Sequence, residues 1–332
     1  MSSSGWSKTA WRLVGGEGFA VDASLIAADA NKQRSIAGQD WHKDRDPARS
    51  SRAVKEYLAT LDDAAWGAAS DVTPKFISPS DPAAQWTGAH KGPAFFAYAD
   101  NYLIEVKFGV IVDVEASRAI RQAEVGAART MIDRTEDRFG LKPVRLAADT
   151  AYGTAATLDW IVNDKKIAPH IPVFDKSRRD DGTLSREDFA FDAGRNLYVC
   201  PQGKLLHTTG RVHDRTTLLY RARTADCGPC PLKARCCPKA PERKIPRSIH
   251  ESARDVARAL AGIEAFEQSR RDRKRVEMLF AHLKRILKLG RLRLRGPRGA
   301  QDEFTLAAIA QNLRRLARLV VRPPPTVDLC LA

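Results

Sequence analysis

The feature that most limits the fold is the apolar stretch AFFAYADNYLIEVKFGVIVDVEAS, from Ala94 to Ser117. It consists of two runs rich in aromatic and β-branched residues, separated by the sequence Lys107–Gly109. Such residues favour strands, and a glycine between two of these runs is typical of a turn. The stretch therefore predicts a β-hairpin.

The segments around the hairpin alternate between strand and helix patterns. Before it, Gly18–Asp29 (GFAVDASLIAAD) predicts a buried strand. After it, Arg118–Gly140 has helical spacing and ends at a glycine, and Lys142–Gly153 (KPVRLAADTAYG) predicts a strand that ends in a turn. A further helix and a short strand follow. This order favours the α/β class, with a mixed sheet covered by helices.

Two segments of different composition interrupt this pattern. One is rich in Gly, Pro, Asp and Trp, and the other is polar and contains most of the cysteines. We therefore expect an α/β domain whose first part spans residues 1–174, with an insertion at about 38–93. A β-rich, cysteine-containing insertion at 175–250 follows. A helical and basic part at 251–322 completes the domain, and a flexible tail spans 323–332.

The positive charge of the chain is concentrated near its C-terminal end. The net charge is +15, and residues 243–322 contain 21 Lys and Arg against 8 Asp and Glu, a net charge of +13 for that part. Such a block favours a phosphate-rich partner, with nucleic acid the first candidate. No apolar run approaches the roughly 20 residues that a membrane span needs, and the first residues lack the apolar core of a signal peptide. We therefore expect a cytoplasmic protein without a membrane partner.

Three acidic residues stand out by their positions. Asp22 and Asp149 each follow an apolar run at the end of a predicted strand, and Glu277 lies on an otherwise basic predicted helix. Three carboxylates close together repel one another unless a cation lies among them, and Mg²⁺ prefers oxygen ligands. The pattern favours a two-Mg²⁺ site for phosphodiester chemistry. The alternatives are a turn or helix cap at each aspartate, and an i,i+4 pair between Glu277 and Arg273.

Helical geometry places the cations beside Glu277. At about 100° per residue, Arg273, Glu277 and Lys284 lie within about 40° of one another, so we expect this line to face the site. The apolar residues of the segment form a separate stripe about a quarter turn away, which we expect to pack on the sheet: Val276, Leu279, Phe280, Leu283 and Leu287.

Several motifs, in this order along the chain, resemble the DDE-type transposases of bacterial insertion sequences. They are FAVDASLIAADA, GVIVDVEAS, LAADTAYGT, YVCPQGKLL, CGPCPLKARC, RKRVEMLFAHLKR, RLRLRG and EFTLAAIAQNLRRLA. The family's last catalytic helix carries Tyr-x2-Arg-x3-Glu-x6-Lys, which Arg273, Glu277 and Lys284 match, while Arg270 stands at the tyrosine position. Family members usually begin with a helical DNA-binding region of roughly a hundred residues, and we expect this chain to lack it.

The resemblance implies a ribonuclease-H-like catalytic domain and an acid triad of Asp22, Asp149 and Glu277 that holds two Mg²⁺ ions, with Mn²⁺ able to substitute. It implies double-stranded DNA as the partner, both transposon ends and target, bound by a homodimer at the bacterial nucleoid. The alternatives are a metal-dependent nuclease without strand transfer and an inactive remnant that only binds DNA. Competitors for the first acid are Asp81, Asp100 and Asp113, of which Asp113 is the second choice.

Several basic residues of the C-terminal part are candidates for contacts to DNA. The segment RLRLRG predicts either a strand with one basic face against phosphates or a solvated edge protected by charge. For Arg314, Arg315 and Arg318 we favour a solvated helix face over phosphate contacts. The predicted DNA-binding residues are Arg270, Arg273, Lys284, Arg291, Arg293 and Arg295.

The cysteines allow a zinc hypothesis. Cys227 and Cys230 form a C-x2-C half-site, and Cys200 and Cys236 complete a set of four thiols for structural Zn²⁺. No second C-x2-C is present, and His207 or His213 are possible replacements as ligands. The alternative is a set of reduced, partly buried thiols.

Overall fold

The computed structural model of the chain describes residues 14–42, 46–89, 92–175, 177 and 179–319. The chain divides into two compact units. Unit 1 comprises Met1–Ala148 and Glu264–Ala332, and unit 2 comprises Asp149–Ile263. The predicted flexible tail at 323–332 lies outside the described residues.

The first part of unit 1 supplies its strands. The elements are β1 (Gly18–Ala27), β2 (Ile36–Ala37), α1 (Arg52–Leu58), β3 (Phe76–Ile77), β4 (Gln85–Ala89), β5 (Gly92–Glu105), β6 (Val110–Arg118), α2 (Arg121–Phe139) and β7 (Arg145–Ala147).

Unit 2 combines short helices with a separate antiparallel sheet. Strands β9 to β13 pair in the order β13-β12-β11-β10-β9. The elements are α3 (Ala155–Asp159), β8 (Ala168–His170), β9 (Ala190–Asp192), β10 (Leu197–Val199), β11 (Leu205–His213), β12 (Thr217–Arg221), α4 (Thr224–Cys227), α5 (Lys233–Cys236), β13 (Lys244–Ser248) and α6 (Glu251–Leu260).

The chain then returns to unit 1 with two long helices, α7 (Glu264–Arg285) and α8 (Gly296–Leu319). Together with the strands they give a mixed α/β architecture with several sheets, in agreement with the predicted class. No helix in the described part of the chain is long and apolar enough to cross a membrane.

Strand β1 is central in the sheet of unit 1. It pairs with β5 in antiparallel orientation, where Asp22 lies opposite Tyr102, and with β7 in parallel orientation. Strand β5 also pairs with β6 across a turn that contains Gly109 at φ 67°. The left-handed backbone suits glycine because it has no Cβ. The predicted hairpin is therefore confirmed.

One face of this sheet carries the main core. Ala20 and Ile26 of β1 are buried there together with Val276, Phe280 and Leu283 of α7. Residues of the 38–93 segment, which was expected as an insertion, also enter this core, including Trp41, Tyr57 and Trp66. The segment therefore supplies aromatic surface that closes one side of the sheet.

The segment RLRLRG, all of it within the described residues, does not form a strand. It pairs with β1 through an isolated bridge between Arg291 and Ala27, and Leu292 is buried. The Glu303 carboxylate accepts hydrogen bonds from the backbone N–H groups of Arg293 (2.7 Å) and Leu294 (2.6 Å). Tertiary contacts therefore fix an irregular turn here, although the alternating pattern is compatible with a strand.

A buried carboxylate ties the start of α8 to the sheet. Asp81 accepts hydrogen bonds from the Tyr98 hydroxyl (2.5 Å) and from the Gly296 N–H (3.1 Å). Its side chain is fully buried, and burial raises its pKa from 3.8 to about 6 against the opposing effect of these hydrogen bonds. This structural role of Asp81 favours Asp22 over Asp81 as the first acid.

We expect Asp81 to make stability depend on pH. Because the pKa is higher in the folded than in the unfolded chain, this group lowers the stability as pH rises from about 4 through 6. Asp81→Asn should gain about 2 kcal/mol relative to wild type between pH 4.5 and pH 7.5. Urea unfolding at the two pH values measures this, with the exposed Asp137→Asn as control. An equal pH response of Asp81→Asn and wild type would contradict the assignment.

Candidate active site

Asp22 lies on the face of β1 that α7 covers. Side chains alternate along a strand, so Asp22 shares its face with Ala20 and Ile26, both buried in the core under α7. Its cross-strand neighbour Tyr102 stacks on Phe280 of α7, with ring centroids 4.7 Å apart. Packing of the helix on the sheet therefore brings α7 over Asp22.

The apolar stripe of α7 holds the helix in this orientation. Val276 and Leu283 are fully buried, Phe280 is 7% exposed, and Leu279 packs against the core. This confirms four of the five predicted stripe positions. The prediction for Leu287 was wrong, because α7 ends at Arg285 and Leu287 is exposed.

The guanidinium of Arg273 contacts both predicted catalytic acids of unit 1, Asp22 and Glu277. Arg273 Nη1 lies 3.2 Å from Asp22 Oδ2, and Arg273 Nη2 lies 3.4 Å from Glu277 Oε1. Asp22 and Arg273 are largely covered, whereas the Glu277 side chain is 56% exposed. The structure therefore brings Asp22, Arg273 and Glu277 together at the mouth of a partly buried site, and Glu277 has both an i,i+4 partner and a place beside Asp22.

Asp113 lies on the other face of the sheet. It pairs with Leu103, whereas Asp22 pairs with Tyr102, and consecutive residues of β5 point to opposite faces. Arg134 of α2 binds Asp113 through two contacts of 2.7 and 3.0 Å. This placement favours Asp22 over Asp113 as the first acid.

Asp100 is a buried carboxylate on the same face as Asp22, opposite Ser24. It is fully buried, and neither of its oxygens makes a hydrogen bond of standard geometry within the described residues. Burial raises the pKa of Asp100 well above its usual value, and the Tyr102 hydroxyl and the Lys284 charge oppose this rise. Burial in turn lowers the pKa of Lys284, against the effect of Asp100. Asp100 and Lys284 therefore lie near enough for each to affect the pKa of the other.

Asp149 belongs to unit 2, where it starts a short turn. It is the N-cap of the 3-10 turn Thr150–Tyr152, and its Oδ1 accepts a hydrogen bond from the Ala151 N–H at 2.7 Å. A side chain at Gly153 would meet the Pro172 carbonyl oxygen, because a Cβ there would lie 2.0 Å from it. The role of Asp149 as an acid of the site stays a prediction from the sequence.

The predicted DNA-binding cations differ in their surroundings. Arg270 is exposed and pairs with Glu267 at 3.5 Å. Arg291 and Arg295 both pair with Asp29, at 2.9 and 2.8 Å. Exposed pairs of this kind contribute little stability, so phosphate groups can replace the carboxylate at small cost. Their contacts to DNA stay a prediction.

In unit 2 several thiols lie in or beside one small core. Cys227, Cys236 and Cys237 are buried in it, the partly exposed Cys200 packs against it, and Cys230 is also partly exposed. Burial raises the pKa of Cys227 and also raises that of Cys236, to about 11, and the neighbouring Cys237 adds to both shifts. The C-x2-C spacing provides no signal for Cys237. The zinc site of Cys200, Cys227, Cys230 and Cys236 stays a prediction.

The chemistry of the donors in unit 1 suits a hard cation. Within the part of the chain that the structure describes, no group of three or more His, Cys, Asp and Glu side chains is arranged to hold a metal ion. Asp22 and Glu277 nevertheless present carboxylate oxygens to one shared cation, the Arg273 guanidinium. Carboxylate oxygens are the ligands that Mg²⁺ and Mn²⁺ prefer. Two of the three predicted acids therefore fit a divalent ion.

Residues 199–317 match the family model described as the transposase DDE domain. This match covers less than half of the chain, and it makes residues 199–317 similar to the DDE domain of transposases. The matched stretch includes Arg273, Glu277 and Lys284, and it begins after Asp22 and Asp149. A search of curated proteins and a search of solved structures found no significant match.

We expect Arg273 to compete with divalent ions for the two carboxylates. Arg273→Gln removes the guanidinium charge between Asp22 and Glu277, so Mn²⁺ should bind about three- to tenfold more tightly in the absence of DNA. Electron paramagnetic resonance titration of free Mn²⁺ measures this. Arg270→Gln, which changes an exposed arginine on the same helix, is the control. Equal Mn²⁺ affinity in the two variants would show that the guanidinium does not occupy the cation position.

Proposed function

We propose that the chain is a DNA transposase with a ribonuclease-H-like catalytic domain, which cleaves phosphodiester bonds of an insertion sequence and joins 3′-hydroxyl ends to target DNA. The observation that carries the proposal is the Arg273 guanidinium shared by Asp22 and Glu277. It supports a function for the exposed Glu277 carboxylate, which is surrounded by cations on α7. The transposase DDE domain match over residues 199–317 supports the reaction class.

Asp22 and Glu277 would hold divalent metal in this enzyme, with Asp149 as the third acid. Two Mg²⁺ ions, when bound, activate the attacking hydroxyl and stabilise the leaving oxygen, and Mn²⁺ can substitute for them. In the absence of metal, Arg273 contacts both Asp22 and Glu277 and so offsets part of their mutual repulsion.

The cations around Glu277 would bind and orient the DNA. Arg273 and Lys284 lie on the same line of α7 as Glu277, and Arg270 precedes them by one turn. The charge of Asp100 opposes the fall in the Lys284 pKa that burial causes, so Asp100 would favour the charged form of Lys284 only in part. Arg291, Arg293 and Arg295 would extend the contact along the phosphate backbone.

Joining of strands separates this function from that of a simple nuclease. A transposase acting as a homodimer on two DNA ends yields products in which the end is covalently linked to target DNA, whereas a nuclease yields only cut DNA. A remnant that only binds DNA yields neither. Such an enzyme would act at the bacterial nucleoid.

We expect Glu277→Gln to abolish cleavage without loss of DNA binding. Glutamine keeps the shape of the side chain and the packing of α7, but it removes a charge that holds metal. The cleavage rate should fall at least about a hundred-fold, which corresponds to about 2.7 kcal/mol. DNA affinity should stay unchanged or increase, because a charge that repels phosphates is lost. A Mg²⁺-dependent cleavage and joining assay beside a gel-shift measures both.

The matched control is Glu267→Gln, which changes another exposed glutamate of α7 that pairs with Arg270. It should cut DNA at nearly the wild-type rate. Lys284→Ala provides a second comparison and should weaken the binding of cleaved ends more than it slows the reaction at saturating DNA. If Glu277→Gln cuts as fast as Glu267→Gln, Glu277 is only a salt-bridge partner of Arg273.

A further inference from the structure

A second cationic site lies on the side of α7 that faces away from Glu277. At about 100° per residue, Arg275, Met278 and His282 lie within about 40° of the direction opposite to Arg273. Together with residues of α8 they line a cavity of about 370 Å³ within unit 1. We call it the arginine pocket, and its charged lining consists of Arg275, Arg314, Arg315 and Arg318.

Among the described residues that line the arginine pocket, none carries a carboxylate. In the same described part of the chain, Arg314, Arg315 and Arg318 form no ion pair, and Arg275 has only a long contact of 3.8 Å with Asp272. Four guanidinium groups around one concave surface repel one another, and an anion between them would relieve this repulsion. The charge distribution therefore points to an anionic ligand, the less favoured of the two interpretations of the α8 arginines from the sequence.

Several of these guanidinium groups are held in place by neutral acceptors. Arg275 Nη1 donates to the Lys107 carbonyl oxygen at 2.9 Å, and Arg315 Nε donates to the Phe108 carbonyl oxygen. Arg314 Nη1 donates to His282 Nε2 at 2.5 Å. These bonds orient the groups without neutralising their charge. Preorganised donors bind an anion with a smaller loss of side-chain entropy than free ones do.

His282 supports this arrangement as a neutral ring. Its Nε2 accepts from Arg314, and its Nδ1 lies 3.3 Å from the Gln311 amide nitrogen, which also donates to the Leu279 carbonyl oxygen at 2.8 Å. Burial lowers the pKa of His282, and the charges of Arg314 and Arg318 lower it further. The neutral ring acts as the acceptor that positions Arg314 at the pocket.

The arginine pocket also has apolar surface beside the charges. Met278 is 69% exposed at the pocket, and Leu279 forms part of the lining. A free phosphate ion has no apolar surface to contact these side chains, whereas a backbone phosphate carries sugars on both sides. Arginine binds phosphate oxygens through paired N–H donors, and phosphate contacts of this kind position nucleic acid without reading its sequence.

We propose that the arginine pocket binds a backbone phosphodiester of a nucleic acid strand, on the side of α7 opposite Asp22 and Glu277. The strand segment held there is separate from the segment at the acidic residues, so one helix contacts the nucleic acid from two sides. The choice of nucleic acid rests on the proposed function, but the binding itself needs neither metal nor cleavage.

The test measures binding of a labelled random-sequence duplex by fluorescence anisotropy in EDTA across a salt series. Arg314→Gln/Arg318→Gln should bind at least about tenfold more weakly than wild type, and its salt slope should be smaller by about 0.9 for each phosphate that the variant no longer neutralises. Arg34→Gln/Arg138→Gln removes the same charge from exposed positions of unit 1 and is the matched control. Equal losses of affinity in the two double variants would overturn the proposal.

A second pair of variants keeps the test independent of the arginines. Met278→Glu places a carboxylate at the arginine pocket, and Leu306→Glu places one at an equally exposed position of α8, with 69% and 67% exposure of the native side chains. Only Met278→Glu should weaken duplex binding by about tenfold or more. Circular dichroism and melting temperature confirm that each variant is folded. Equal affinity of the two variants would also overturn the proposal.

ATP distinguishes a nucleic acid strand from a free nucleotide as the source of the phosphate. With ATP as the probe, the pocket variants and their controls should show the same weak binding. Tight ATP binding that only the pocket variants lose would overturn the assignment to a strand. A wild-type chain that binds the duplex through the pocket but does not cleave DNA would contradict the proposed function and leave the pocket assignment standing. The two results are separable because EDTA removes the metal from the binding assay.

Discussion

Two carboxylates that lie close together in a partly buried site repel each other unless a cation lies between them. In unit 1 that cation is the guanidinium of Arg273, which contacts Asp22 on β1 and Glu277 on α7. The contact with Arg273 offsets part of this repulsion and accounts for a glutamate at this position of a largely basic helix. Carboxylate oxygens of this kind are also the ligands that Mg²⁺ prefers.

The packing of α7 makes this charge arrangement possible. Phe280 stacks on Tyr102, which is paired with Asp22, and Val276 and Leu283 are buried against the same face of the sheet. Rigid elements of this kind position side chains more narrowly than loops do. One side of α7 faces Asp22, and the opposite side lines the arginine pocket, so the helix contributes to two charged surfaces.

The sequence predicted the parts of this arrangement that depend on local periodicity. The hairpin of β5 and β6, the strand that carries Asp22 and the buried stripe of α7 all follow from the spacing of apolar residues. Contacts between distant residues could not be predicted this way, since Arg273 and Asp22 are 251 positions apart. RLRLRG has the alternation of a strand, yet contacts with Ala27 and Glu303 fix it as a turn. The burial of Asp100 beside Lys284 likewise depends on packing, and a count of acids does not reveal it.

The central proposal, made from the sequence, is that Asp22, Asp149 and Glu277 hold the same metal. Hydroxyl radicals produced by Fe²⁺ bound in place of Mg²⁺, with ascorbate and peroxide, cut the polypeptide near the ion. If the three acids bind one metal, the backbone is cut near all three of them, at segments far apart in the sequence. Excess Mg²⁺ should suppress these cuts. Cuts that are absent from the Asp149 segment, or that persist in excess Mg²⁺, would contradict it.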